Sequence, residues 1–97
     1  MFARVSTVQG KPERIDDGIR HFRESLLPEA RKMVGFKGAY LLVDRNSGKN
    51  LSITPWDTEK NMQGSTIAAN KLRAEASKNV NAASPPVVDV YEVAVQL

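Results

Sequence analysis

The chain has 97 residues, 41% of them hydrophobic and 26% charged, with a formal net charge of +3 and no cysteine. That length predicts one domain, residues 1–97, with one core. The missing cysteines exclude a disulfide framework, thiolate zinc sites and thiol catalysis, and they suit a reducing cytoplasm.

Phe2 to Val8 reads as a first strand, rich in β-branched residues and leaving through Gln9-Gly10. Pro12 suits the first position of a helix, with Glu13, Asp16 and Asp17 near its positive end. Ile15, Ile19, Phe22 and Leu26 line one stripe of that helix. Pro28 is expected to break it, since a proline ring clashes with the preceding turn and biases Leu27 away from helical dihedrals. A short helix can restart at Pro28 and run to about Val34, where Gly35 ends it.

Two central strands follow, about Phe36 to Asp44 and Asn50 to about Thr54, joined by the loop Arg45-Asn46-Ser47-Gly48-Lys49. Pro55 is expected to stop the second of them, and Asp57 or Thr58 to cap a helix reaching about Lys78. Met62, Ser65, Ala69, Leu72 and Ala76 share one small, weakly apolar face of that helix; Ile67 falls off it. Asn79 to Pro86 is a loop by composition, and Val87 to Val95 the last strand.

The order strand, helix, strand, strand, helix, strand is the split βαβ pattern of a ferredoxin-like α+β domain. It predicts a four-stranded antiparallel sheet with both helices on one face. The first central strand is apolar on both sides, with Phe36, Tyr40 and Leu42 pointing one way and Ala39, Leu41 and Val43 the other. One helical layer covers a single face, so the second face calls for a partner subunit or a ligand cavity.

With these landmarks the chain resembles the dimeric α/β-barrel superfamily, and within it the antibiotic-biosynthesis-monooxygenase-like domains. The resemblance rests on a first helix ending in Leu27-Pro28-Glu29, on Gly35-Phe36 entering the second strand, and on Trp56 ahead of Asp57 and a polar helix. It implies a homodimer packed sheet on sheet, with a pocket between each sheet and its helices. It also implies oxygenation without metal, flavin or other cofactor, in which an electron-rich phenolic or anthrone-type substrate supplies the electron to oxygen. Trp56 matches the tryptophan near the pocket in that branch.

Such a pocket needs aromatic walls and a few hydrogen-bonding groups. Trp56, Tyr40 and Tyr91 are the candidate walls, and Ser52 and Thr54 alternate onto the strand face of Trp56. A tryptophan that only closes the core is the competing reading of Trp56. No catalytic residue is legible. Asp89 and Glu92 fall on opposite strand faces and form no acid–base pair. His21, the one histidine, is expected on the surface. Haem-degrading relatives carry a histidine on the later helix, and this chain has none there, so haem ligation is not expected. A lone histidine without cysteines predicts no metal site.

Scattered Lys and Arg, interleaved with acidic residues, and a third strand without aromatics argue against nucleic acid. No apolar run approaches the ~20 residues of a membrane span. Met1 to Val5 lacks the basic-then-apolar order of a signal peptide. The leading expectation is a small cytoplasmic homodimeric oxygenase acting on a small aromatic substrate. The alternative is a non-catalytic ligand-binding or stress-responsive module with the same barrel.

Overall fold

The computed structural model describes residues 1–82 and 84–97. Ala83, within the loop predicted at Asn79 to Pro86, lies outside the described residues.

Strand β1 (Phe2–Gln9) leads through a 3-10 turn (Pro12–Arg14) into helix α1 (Ile15–His21). A π turn (Phe22–Leu26) joins α1 to α2 (Leu27–Ala30). Then come β2 (Tyr40–Val43), β3 (Lys49–Trp56), α3 (Glu59–Gly64), α4 (Thr66–Asn79) and β4 (Val87–Glu92). The strands form one antiparallel sheet in the order β2-β3-β1-β4. This is the expected ferredoxin-like α+β arrangement, with β1 and β3 in the middle and the helices on one face.

Pro28 does not break the first helix. Leu27 keeps helical dihedrals, φ −60° and ψ −45°, and its N–H reaches back five residues to the Phe22 carbonyl. The π turn widens the helix just before the proline. That widening gives the ring room, and the donor that proline lacks falls where the register has already slipped. The helix ends at Ala30 rather than Val34, and turns carry the chain to Gly35, whose φ is +84°.

The second strand is shorter than expected. Phe36 makes only an isolated bridge to Trp56, and the ladder starts at Tyr40. Between them Gly38 adopts φ +135°, which breaks the alternation. Phe36 therefore shares the face of Trp56, while Tyr40 pairs with Ile53 and shares the opposite face. The two do not point the same way, contrary to the sequence expectation.

Pro55 does not stop β3 either. It pairs with Ala3 inside the ladder, and its carbonyl accepts from Lys37 N at 2.9 Å on the other side. In an antiparallel strand a residue's N and O point to the same side, so the missing N–H faces the irregular Lys37 segment and costs β1 nothing.

In the β2–β3 loop, Gly48 takes φ +83° and its N–H closes onto Asp44 O at 2.9 Å. The Asp44 carboxylate accepts from the backbone of Asn46 and Ser47, which holds it below the usual carboxylate range. Thr58, not Asp57, caps α3 by accepting from Asn61 N at 3.1 Å. The long helix predicted from Asp57 to Lys78 is divided at Ser65, where α3 gives way to α4. β4 ends at Glu92, short of Val95, although Val93 N still donates to Met1 O at 2.8 Å.

The core comprises Val8, Ile15, Ala30, Trp56, Met62, Leu72 and Val80 between the layers. Of the helix face read from the sequence, Met62, Ser65 and Leu72 are buried, and Ile67 is exposed as expected. The outer sheet face leaves Tyr40, Leu42, Val87 and Tyr91 exposed. Among the described residues no helix is long and apolar enough to cross a membrane.

Candidate functional site

Strand alternation places an unusual set of side chains between the layers. From β1 the helix-facing residues are Arg4, Ser6 and Val8; from β3 they are Asn50, Ser52, Thr54 and Trp56. A sheet face covered by helices is normally apolar. Here Arg4, Ser6, Asn50 and Thr54 are all buried. They border two adjoining chambers of about 40 Å³ each, which share Ser6, Leu26, Ser52, Leu72 and Arg73. One chamber runs on to Gly18, His21 and Asn50, the other to Arg4, Thr54 and Trp56. Each has room for water-sized groups; an aromatic ring requires the layers to part, since benzene fills a cavity of roughly 150 Å³.

The electrostatics of this space come from Arg4 and Arg73. Arg4 donates to Ser65 Oγ at 3.0 Å and to Met62 O at 2.7 Å, and its guanidinium carbon lies 5.9 Å from the centre of the Trp56 ring. Arg73 reaches across from α4 to Ser6 Oγ at 3.4 Å and also donates to Asn70 Oδ1. The ion pairs among the described residues join Arg14, Arg20, Lys32 and Arg45 to surface carboxylates; none involves Arg4 or Arg73. Burial lowers the pKa of both guanidiniums, and the positive charge of Arg73 lowers that of Arg4 further. They nevertheless remain cationic at neutral pH. Among the described residues, the arrangement leaves positive charge facing the chambers with no internal carboxylate to neutralise it.

His21 is buried, not on the surface as expected. Its helix packs against α4, which covers His21 while Asp16 and Arg20 of the same helix stay exposed. His21 Nε2 lies 3.3 Å from Leu72 O. A carbonyl oxygen only accepts, so this bond assigns the ring proton to Nε2 and leaves Nδ1 as an acceptor in the neutral ring. Asn50 Nδ2 donates to Gly48 O at 3.0 Å, while Asn50 Oδ1 has no partner among the described residues. Among the same residues no group of three or more His, Cys, Asp and Glu is placed to hold a metal ion.

Of the residues singled out from sequence, Trp56, Thr54 and Ser52 come together at the second chamber. Trp56 is 2% exposed, packs edge-on against Phe36 at 5.5 Å between ring centres, and donates from Nε1 to Thr54 Oγ1 at 3.2 Å. Its N–H is thus engaged within its own strand. Tyr40 and Tyr91 stand apart. Tyr40 pairs with Ile53 and Tyr91 with Ala3, both on the outer face, and their rings are exposed. Sequence reasoning missed Arg4, His21, Asn50 and Arg73. One signal was available: polar residues at every second position in Arg4-x-Ser6 and Asn50-x-Ser52-x-Thr54, on strands central to the fold.

No family model matches the chain. Among curated proteins it is 33% identical over 94 residues to the uncharacterized protein Rv2557 of Mycobacterium tuberculosis, covering 97% of this chain and 41% of that protein. To the uncharacterized protein Rv2558 of the same organism it is 32% identical over 77 residues, covering 79% of this chain and 33% of that protein. The chain thus spans less than half the length of these relatives. Among solved structures it superposes on a monooxygenase from the gene ActVA-Orf6 of Streptomyces coelicolor, in complex with nanaomycin D. The TM-score is 0.81 at 16% identity, over 99% of this chain and 89% of that one. A candidate antibiotic biosynthesis monooxygenase from Deinococcus radiodurans matches with a TM-score of 0.77 at 16% identity, over 100% of this chain and 96% of that one. In strand order, helix placement and length, this chain has the ferredoxin-like fold of the antibiotic-biosynthesis-monooxygenase-like domains.

Proposed function

We propose that this domain binds a small, electron-rich aromatic molecule as its anion between sheet and helices, and oxygenates it without a cofactor. The observation that carries the reading is the pair Arg4, buried between the layers, and Arg73, half-buried beside it, with no carboxylate partner among the described residues. Triplet oxygen reacts with an electron-rich carbanion or phenolate far more readily than with the neutral acid. A site that favours the anion therefore favours the electron transfer. For an anthrone-type substrate, the ring CH₂ and O₂ become a carbonyl and water. Arg73 holds the developing oxyanion, Trp56 and Leu26 flank the ring, and Ser52 and Thr54 orient it. The nanaomycin D complex of the Streptomyces structure supports an aromatic-ligand reading by fold analogy.

The same proposal includes a second copy of the chain, in the cytoplasm. The outer sheet face displays Tyr40, Leu42, Val87 and Tyr91 to solvent, and a sheet-on-sheet dimer covers all four.

A second reading, a non-catalytic binding module, is favoured by the small chambers of about 40 Å³ each. Oxygen uptake separates the two. Anthrone incubated with the protein and a chelator should consume oxygen and yield anthraquinone above the rate without protein, and Arg73→Met should remove most of that excess. Uptake equal to the protein-free rate would leave the binding module.

A further inference from the structure

The geometry points to Asn50 Oδ1 as a subsite that reads a neutral hydroxyl on the ligand, at the Gly18–His21 end of the first chamber and across from Arg73. This inference rests on the anion-binding reading above and adds the other end of the ligand.

Asn50 is 6% exposed, and its carboxamide is oriented by one bond, Nδ2 to Gly48 O at 3.0 Å. Exchanging the two amide positions would set Oδ1 against that carbonyl, two acceptors facing each other, so the orientation is fixed. Oδ1 is left buried and, among the described residues, without a donor. Buried acceptors are rarely left so, and one bordering a chamber is a place for a ligand donor. The oxygen faces helix α1, where a Cβ built on Gly18 would lie 3.6 Å from it. Val80 packs into the space that this glycine leaves, its Cγ1 2.7 Å from the same Cβ position, and Gly18, Asn50 and Val80 together line that end of the first chamber.

The rest of the chamber sorts ligands by the same logic. Arg73 only donates, so it takes an anionic or acceptor oxygen. Asn50 Oδ1 only accepts, so it takes O–H or N–H. A molecule that is anionic at one end and carries a free hydroxyl at the other satisfies both ends. One that is anionic but lacks the hydroxyl leaves Asn50 Oδ1 unpaired. A site built around such a donor rejects analogues lacking it far more strongly than an apolar pocket does.

The test compares 4-hydroxybenzoate with 4-fluorobenzoate by titration calorimetry on the whole chain. Both are anionic and similar in size; only the first has a donor. The expected result is at least tenfold tighter binding of 4-hydroxybenzoate, with the ratio falling to near one in Asn50→Leu. If both bind alike, or the ratio survives in Asn50→Leu, the hydroxyl subsite is overturned while the anion site stands. If neither binds, the anion site fails and the subsite with it. Should Asn50→Leu not fold, the wild-type Asn50 ¹³Cγ resonance decides. It must shift with 4-hydroxybenzoate and stay in place with 4-fluorobenzoate, and an equal response to both overturns the inference.

Discussion

The Arg4 guanidinium sits 5.9 Å from the centre of the Trp56 indole, the two side chains projecting from neighbouring central strands onto the helix-facing side. This buried cation, with an aromatic face on one side and hydroxyl and carbonyl oxygens on another, has no counter-ion among the described residues. Such a residue costs the fold desolvation energy, which is the pattern of a side chain kept for a ligand. Arg4→Met is of similar volume and removes the charge. Met62 O retains the Ser65 hydroxyl as a donor at 2.6 Å, so the change leaves that carbonyl satisfied. Stability measured by urea unfolding should stay within about 1 kcal/mol of wild type or rise, while binding of an anionic aromatic weakens at least tenfold. A loss of several kcal/mol would make Arg4 a structural residue instead.

Trp56→Phe tests the indole itself. Phenylalanine keeps an apolar ring against Phe36 but loses volume and the bond to Thr54 Oγ1. Unfolding free energy should fall by roughly 1–2 kcal/mol, and anthrone turnover should fall with it at a temperature where the variant is fully folded. Turnover unchanged in the folded variant would confine Trp56 to the core.

Two glycines give opposite predictions. A Cβ on Gly48, at φ +83°, would collide with Gly10 O and lie 2.7 Å from Pro12 N, both backbone atoms. Gly48→Ala should destabilise by about 2–4 kcal/mol, combining left-handed strain with overpacking. Gly64 ends α3, and a Cβ there would meet nothing within 4 Å. Gly64→Ala should be neutral or stabilise by up to about 1 kcal/mol. Thermal unfolding of the two variants side by side reads both.

The outer sheet face carries its own prediction. Tyr40 is 65% exposed and lies on the same face as exposed Leu42, Val87 and Tyr91. Sedimentation at micromolar concentration should show a dimer, burying more than about 1,000 Å². Tyr40→Glu, placing a charge in the seam, should give a folded monomer. A wild-type monomer at that concentration would contradict the dimer.

The element order was legible because hydrophobic periodicity and turn residues agree along the chain: Ile15, Phe22 and Leu26 mark a helix, and Asn46 to Gly48 a hairpin. The prolines misled because their local effect depends on neighbours. A π turn accommodates Pro28, and Pro55 turns its missing donor towards a segment that is not in the ladder. The site was half legible. Trp56, Thr54 and Ser52 share a strand face by alternation, which sequence shows directly. Tyr40 shifted faces because Gly38 interrupts the strand, a backbone event with no signature in the apolar pattern. Arg4, Arg73, His21 and Asn50 come from four different elements, and only the packing of α1 and α4 over the sheet brings them near one space.

The most direct test of the central claim, that the paired guanidiniums make the interlayer space an anion site, is a ¹⁹F NMR titration of 4-fluorobenzoate against 4-fluorobenzyl alcohol. The expected result is saturable binding of the carboxylate, at least tenfold weaker binding of the alcohol, and loss of that preference in the Arg4→Met/Arg73→Met double variant. Equal affinity for the two molecules, or a preference that persists in the double variant, would contradict it.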